Sequence, residues 1–198
     1  MGAKVMAIVG SYRKDGMIDT AVEAILAGAR EKGAATHTIY LTEQHIEFCR
    51  NCRTCGQVAG PERGRCPQQD DMEPILQEIE EADAVVLGSP VNCGDVTAIF
   101  RRFMERLLGC TFWPWEQAAP RMRVSKSTRK AVLVASSAMP GILIPLFTGA
   151  MGALRRAAKM LHAKPVGKMC IGLVAGEPQP VLSARTLERA RRIGMRLA

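Results

Sequence analysis

Four cysteines carry the densest chemistry in this chain. Cys49, Cys52 and Cys55 are separated by two residues each, and Cys66 follows after ten more. A Cys-x-x-Cys-x-x-Cys run with a remote fourth thiolate suits a four-iron four-sulfur cluster, because each ligand must reach a different corner of a compact cube. The same four thiolates can surround one tetrahedral zinc ion. They can also carry no metal, or serve as a redox pair. Cys110 and Cys170 lie in apolar surroundings and read as packing residues. His37, His45 and His162 have no companions that would make a triad. No Gly-x-Ser-x-Gly elbow marks a serine hydrolase.

A second concentration of chemistry runs from Gly10 to Thr20, reading Gly-Ser-Tyr-Arg-Lys-Asp-Gly-Met-Ile-Asp-Thr. Hydroxyls, backbone amides, two cations and a helix start converge here, which is what a phosphate needs. The loop has neither the paired glycines of a dinucleotide fingerprint nor the Gly-Lys-Ser/Thr of a P-loop, so a monophosphate fits it better than NAD or ATP. Two further loops, Ser89 to Asp95 and Ser136 to Gly141, combine small residues with turn formers and allow close approach to a flat ligand. Cys93 lies in the first of these.

The elements that must hold these loops follow from periodicity. Val5 to Val9 is a continuous β-favouring run ending at Gly10, as a central strand buried on both faces would be. Thr20 to Lys32 repeats apolar residues at helical spacing and stops at Gly33. Thr36 to Leu41 is mixed and suits a sheet edge, and Asp71 is positioned to cap a helix bearing Met72, Ile75, Leu76 and Ile79. Ala84 to Leu87 is a buried strand that Gly88-Ser89-Pro90 should end. An amphipathic helix over Val96 to Leu108, a strand over Ala131 to Ala135, a helix reaching Leu161, a strand over Met169 to Val174 and a helix over Ser183 to Leu197 complete the series. Five strands alternating with helices predict a three-layer, doubly wound, five-stranded parallel α/β sheet, with its ligand beyond the strands' C-terminal ends where the winding reverses. One domain over 1–198 is expected, with a cysteine-bearing insertion at about 45–70.

Composition sets outer bounds. The chain has 198 residues, 47% hydrophobic and 23% charged, with aromatics at 5%, which is ordinary for a globular domain. Its formal net charge is +8, but the arginines are spread over several segments without interleaved aromatics, so nucleic acid is not expected as a partner. The longest apolar stretch, Met139 to Leu154, is broken by Pro140, Gly141, Pro145, Gly149 and Gly152 and is too short to span a bilayer. The N-terminal apolar run is too short for a secretory core. A cytoplasmic location is expected.

Four motifs occur here in one order: Gly-Ser-x-Arg-Lys at Gly10 to Lys14, the cysteine run at Cys49 to Cys55, Cys-Pro-x-x-Asp-Asp-Met at Cys66 to Met72, and Gly-Ser-Pro-Val at Gly88 to Val91. The chain thereby resembles the NADPH-dependent FMN reductase-like flavoproteins of flavodoxin-like fold, and among them the iron-sulfur flavoprotein branch. The resemblance implies FMN, with its phosphate held by Ser11, Arg13, Lys14 and Thr20. The isoalloxazine would lie against Pro90, Val91, Asn92, Cys93, Gly94 and Asp95 and against Ser136, Ser137, Ala138 and Met139. Cys49, Cys52, Cys55 and Cys66 would be the metal ligands if a 4Fe-4S cluster is present. The implied activity is an FMN-dependent oxidoreductase that passes electrons from NAD(P)H to a small acceptor such as a quinone or flavin. Electron transfer to a protein partner and a zinc-binding regulatory module are the alternatives. Two apolar segments, Phe112 to Trp115 and Ile142 to Phe147, are expected near the flavin edge and at the interface of a homodimer or homotetramer.

Overall fold

The computed structural model describes residues 2–124, 126–176 and 179–198. Strand β1 (Lys4–Val9) lies inside the sheet, paired on both sides. Helix α1 (Met17–Arg30) returns the chain to β2 (Ala35–Tyr40), and a long irregular stretch leads to α2 (Met72–Glu80) and β3 (Ala84–Asn92). A short β4 (Asp95–Val96) turns into α3 (Ala98–Glu105). A small hairpin of β5 (Thr111–Phe112) and β6 (Arg121–Met122) precedes β7 (Arg129–Ser136). The chain closes with α4 (Ile144–Phe147), α5 (Ala150–Met160), β8 (Ala163–Ile171) and α6 (Ala184–Gly194).

The main sheet runs in the order β2-β1-β3-β7-β8, and each of these pairings is parallel. Winding therefore reverses beside β1, which opens a crevice between the loops after β1 and β3. Alternation along β1 feeds two cores. Val5, Ala7 and Val9 pack with α1 and α6, whereas Met6 and Ile8 pack with the opposite layer, built from α2, α3 and α5. The α1–α6 crossing is close enough that a Cβ on Gly28 would lie 2.0 Å from the Arg191 carbonyl oxygen, and one on Gly194 would lie 1.8 Å from that of Ile25.

Several boundaries differ from the sequence reading, each for a tertiary reason. β3 does not stop at Leu87, because Ser89 and Pro90 still have partners in Ala135 and Ser136 of β7. β8 starts six residues before the expected Met169: as the edge strand it tolerates Lys164 and Pro165, and a bulge at Val166 absorbs the register shift. Asp71 does not cap α2. Its carboxylate accepts from the His45 amide, and Asp70 accepts from Met72 instead. The helix expected to reach Leu161 is broken at Gly149, whose amide donates to the Gly94 carbonyl.

Candidate functional site

Three strand ends bring their loops to one cleft of about 980 Å³. Ser11 to Ile18 form one wall, Pro90 to Asn92 the second, and Ser136 to Ala138 the third. Val174 and Gln179 to Val181 complete it from beyond β8. The sequence reading did not include this last wall, although every parallel strand ends at the same side of the sheet, so the signal was available.

Buried hydrogen bonds set the spacing of these walls. The Thr97 hydroxyl donates to the Gly10 carbonyl at 2.6 Å, and the Thr97 amide donates to Ser89 Oγ at 3.0 Å. Thr97 also caps α3 by accepting from the Phe100 amide. One residue, through its amide and its hydroxyl, thus ties the first loop, β3 and α3 together. Beneath the first loop, the buried Asp19 carboxylate accepts from the Asp15 amide and from the Tyr40 hydroxyl, both at 2.7 Å. This pair holds Asp15 in the left-handed region, φ +59. Burial, then the bond to Asp19, pushes the Tyr40 hydroxyl well above the usual range for tyrosine.

The phosphate residues divide. Ser11 and Arg13 line the cleft, with Ser11 Oγ bridging the amide and carbonyl of Arg13 at 3.2 Å each. Arg13 has no ion-pair partner among the described residues. Lys14 also lines the cleft, but its ammonium is paired with Glu43 at 2.8 Å and lies over the Tyr40 ring. The Glu43 hydrogen bond raises its pKa. Thr20 does not line the cleft. Its amide already bonds the Gly16 carbonyl and its hydroxyl turns to the Asp15 carbonyl, so the amides left free for an anion are those of the first turn of α1.

The ring-binding expectation divides similarly. Pro90, Val91, Asn92, Ser136, Ser137 and Ala138 face the cleft. Cys93, Gly94 and Asp95 stand outside its lining, because Cys93 (φ +48) and Gly94 (φ +79) form the tight turn between β3 and β4. The Asp95 carboxylate is taken by Arg101. Met139 packs against the core.

The four cysteines share one stretch without forming a metal-holding group. Cys52 is exposed and its sulfur accepts from the Thr54 hydroxyl, while Cys55 and Cys66 line a narrow crevice with Arg106 and Gln68. Burial, followed by the neighbouring thiols, pushes the Cys55 thiol up to about 11. Among the described residues no three His, Cys, Asp or Glu side chains stand together to hold a metal ion. Other contacts set this segment's path. Arg53 is clamped over the rings of Trp113 and Trp115, Arg123 binds the carbonyls of Cys55, Val58 and Gly109, and Asp70 is locked to Arg106. The aromatic segment Phe112 to Trp115 therefore serves the cysteine stretch and is absent from the cleft lining.

A second cavity, of about 410 Å³, lies among Arg63, Glu73, Glu80, Arg129 and His162. Its arginines are already engaged, Arg63 by Glu73 and Glu80 and Arg129 by the carbonyls of Glu80 and Ala82.

Residues 3–168 match the family model for NADPH-dependent FMN reductase. The chain belongs to this family. Among curated relatives, the FMN reductase-family chain is 35% identical over 105 residues to an iron-sulfur flavoprotein of Archaeoglobus fulgidus, covering 53% of this chain and 46% of that protein. It is 37% identical over 103 residues to one of Methanocaldococcus jannaschii, covering 52% and 51%. The chain spans about half the length of the curated relatives it matches. Among solved structures, an NAD(P)H:quinone oxidoreductase from Methanothermobacter marburgensis aligns over 100% of both chains with a TM-score of 0.70 and 21% identity. An archaeal flavodoxin aligns over 98% of each with a TM-score of 0.56 and 14% identity. These likenesses establish the flavodoxin-like fold of this family member.

The cleft suits the cofactor that the family name implies. Arg13, the Ser11 hydroxyl and the first-turn amides of α1 can meet a phosphate. The β3 and β7 loops leave room between them for a flat ring.

Proposed function

We propose that this protein is an FMN-dependent oxidoreductase that takes electrons from NAD(P)H and gives them to a small acceptor such as a quinone or a flavin. The observation that carries the reading is the cleft at the winding reversal, with Arg13 and the start of α1 at one end and the Pro90 and Ser136 loops at the other. Bound FMN would supply the hydride and single-electron chemistry. The chain's own residues do the positioning: Arg13 neutralises the phosphate, and the Asp19–Tyr40 pair fixes the backbone of the first loop at Asp15. Thr97 fixes the distance between the phosphate loop and the ring loops. Val174 and Gln179 to Val181 narrow the approach for donor and acceptor.

Electron transfer to a protein partner is the second reading, favoured by the iron-sulfur flavoprotein relatives. No step is routed through a cluster; Cys49, Cys52, Cys55 and Cys66 would be its ligands if one is bound. Titration of FMN into the flavin-free protein, followed by NADPH and NADH oxidation with and without a quinone, tests the proposal. Saturable binding with quinone-dependent turnover is expected. Absence of flavin binding sinks it, and binding without turnover on small acceptors transfers support to the second reading.

A further inference from the structure

The net charge of this chain resides in its last quarter. Residues 1–149 hold seventeen Lys and Arg against seventeen Asp and Glu, whereas residues 150–198 hold ten against two. The formal excess of +8 is therefore carried by α5, by the edge strand β8 and by α6. Arg155 of α5, Lys168 of β8 and Arg189 of α6 are exposed, and both helices pack on this edge strand near Cys170: α5 contacts β8 directly, and a Cβ on Gly167 of β8 would lie 2.8 Å from Ile193 of α6. Among the described residues, the ion pairs of this segment are confined to Arg192 with Glu188.

Large apolar side chains protrude beside these cations. Ile142, Leu146 and Phe147 are 80%, 73% and 71% exposed, and Leu173 is 70% exposed. They adjoin the same point of the edge: a Cβ on Gly141 would lie 2.4 Å from the Cys170 carbonyl oxygen, and the Leu173 amide donates to the Met139 carbonyl. Exposed apolar groups of this size normally mark a surface that meets something apolar. A second copy of the chain would bring two cationic rims face to face. Phe147 is the one aromatic among these protruding side chains, and residues 150–198 contain no Phe, Trp or Tyr, so no series of rings is offered to stack on unpaired bases. A protruding apolar tip set in a basic face is instead what an interfacial, anionic membrane surface accommodates.

We propose that this face docks peripherally on an anionic lipid bilayer. Ile142, Leu146, Phe147 and Leu173 enter the boundary between headgroups and acyl chains, and the cations of α5, β8 and α6 lie over the lipid phosphates. The cleft then opens close to the membrane, because Val174 in the loop that carries Leu173 lines it. Delivery of a lipid-soluble acceptor through that opening rests on the flavin reading, whereas the docking itself does not.

Co-sedimentation of the full chain with phosphatidylcholine vesicles, with and without about 30% phosphatidylglycerol, tests the docking without any activity measurement. Binding to the anionic vesicles alone, weakened by salt, is expected. Lys168→Ser with Arg189→Ser should reduce it roughly thirtyfold, since each cation near such a surface is worth about 1 kcal/mol. Leu146→Ser with Phe147→Ser should abolish it while leaving the thermal unfolding midpoint in place. Failure to bind anionic vesicles, binding that both variants retain, or a dimer that Leu146→Ser with Phe147→Ser dissolves would overturn the proposal. So would duplex DNA binding that matches vesicle binding and ignores the apolar variant.

Discussion

Arg13 and Lys14 are adjacent cations on the same loop, yet the structure gives them different work. Lys14 is held by Glu43, while Arg13 is left facing the cleft. A charge-assisted hydrogen bond to phosphate contributes about 1.5 to 3 kcal/mol. Arg13→Ala should therefore weaken FMN about tenfold or more, and Lys14→Ala distinctly less, as read by quenching of flavin fluorescence. Equal losses would mean that Lys14 leaves Glu43 when ligand binds. The buried pair of Asp70 and Arg106 makes a different prediction. Burial opposes ionisation of Asp70, but the bond from Arg106 and the amides of Glu47 and Met72 outweigh it and hold the pKa below its ordinary value. A depressed carboxylate pKa stabilises the fold above the unfolded pKa of about 3.9, and that contribution is lost as pH falls through the lower folded value. Arg106→Met should cost about 3 kcal/mol at neutral pH, measured by urea unfolding, and adding Asp70→Asn should recover part of it, because the stranded charge is then removed.

At the level of elements, the meeting of α3 with the strand ends depends on Thr97. Thr97→Val keeps the shape but removes both the α3 cap and the bond to Gly10, for an expected loss of about 1 to 2 kcal/mol. Because the same bond spaces the phosphate loop from β3, FMN affinity should fall as well. A drop in melting temperature with FMN binding unaltered would show that the cap matters and the spacing does not. The α1–α6 crossing is stricter. A leucine at Gly28 must displace the Arg191 backbone, so Gly28→Leu should destabilise by about 3 kcal/mol or prevent folding. The break at Gly149 belongs to this scale too, since it lets α5 dock on the turn at Gly94.

For the whole molecule, the cleft is assembled from four separate loops, so a ligand that fills it must also hold the sheet's upper edge together. FMN at about one hundred times its dissociation constant should add about 2.7 kcal/mol of stability. For a chain of this size that corresponds to about 5 to 10 °C in the melting temperature. The shift should be absent with riboflavin at concentrations where FMN saturates, if the phosphate contacts dominate. An equal shift with riboflavin would move the main binding determinant to the ring loops.

The succession of strands and helices along the chain and the layer architecture were legible because they rest on local properties: runs such as Val5 to Val9 cannot be exposed, and their alternation with amphipathic helices leaves few ways to bury both faces. The Gly10 to Thr20, Pro90 and Ser136 loops were legible as walls of one cleft for the same reason, being the turns at the ends of those strands. Neighbours in space decided what spacing could not. Thr20 falls in the second turn of α1, Cys93 at the tip of a hairpin, and Thr97 at the junction of three elements only once the chain has folded. The cysteines show the limit most clearly. Their spacing permits a shared metal, but whether four side chains converge depends on the path of the loop between them, and here that path is set by Arg53, Arg106 and Arg123 through partners 36 to 68 residues away in sequence.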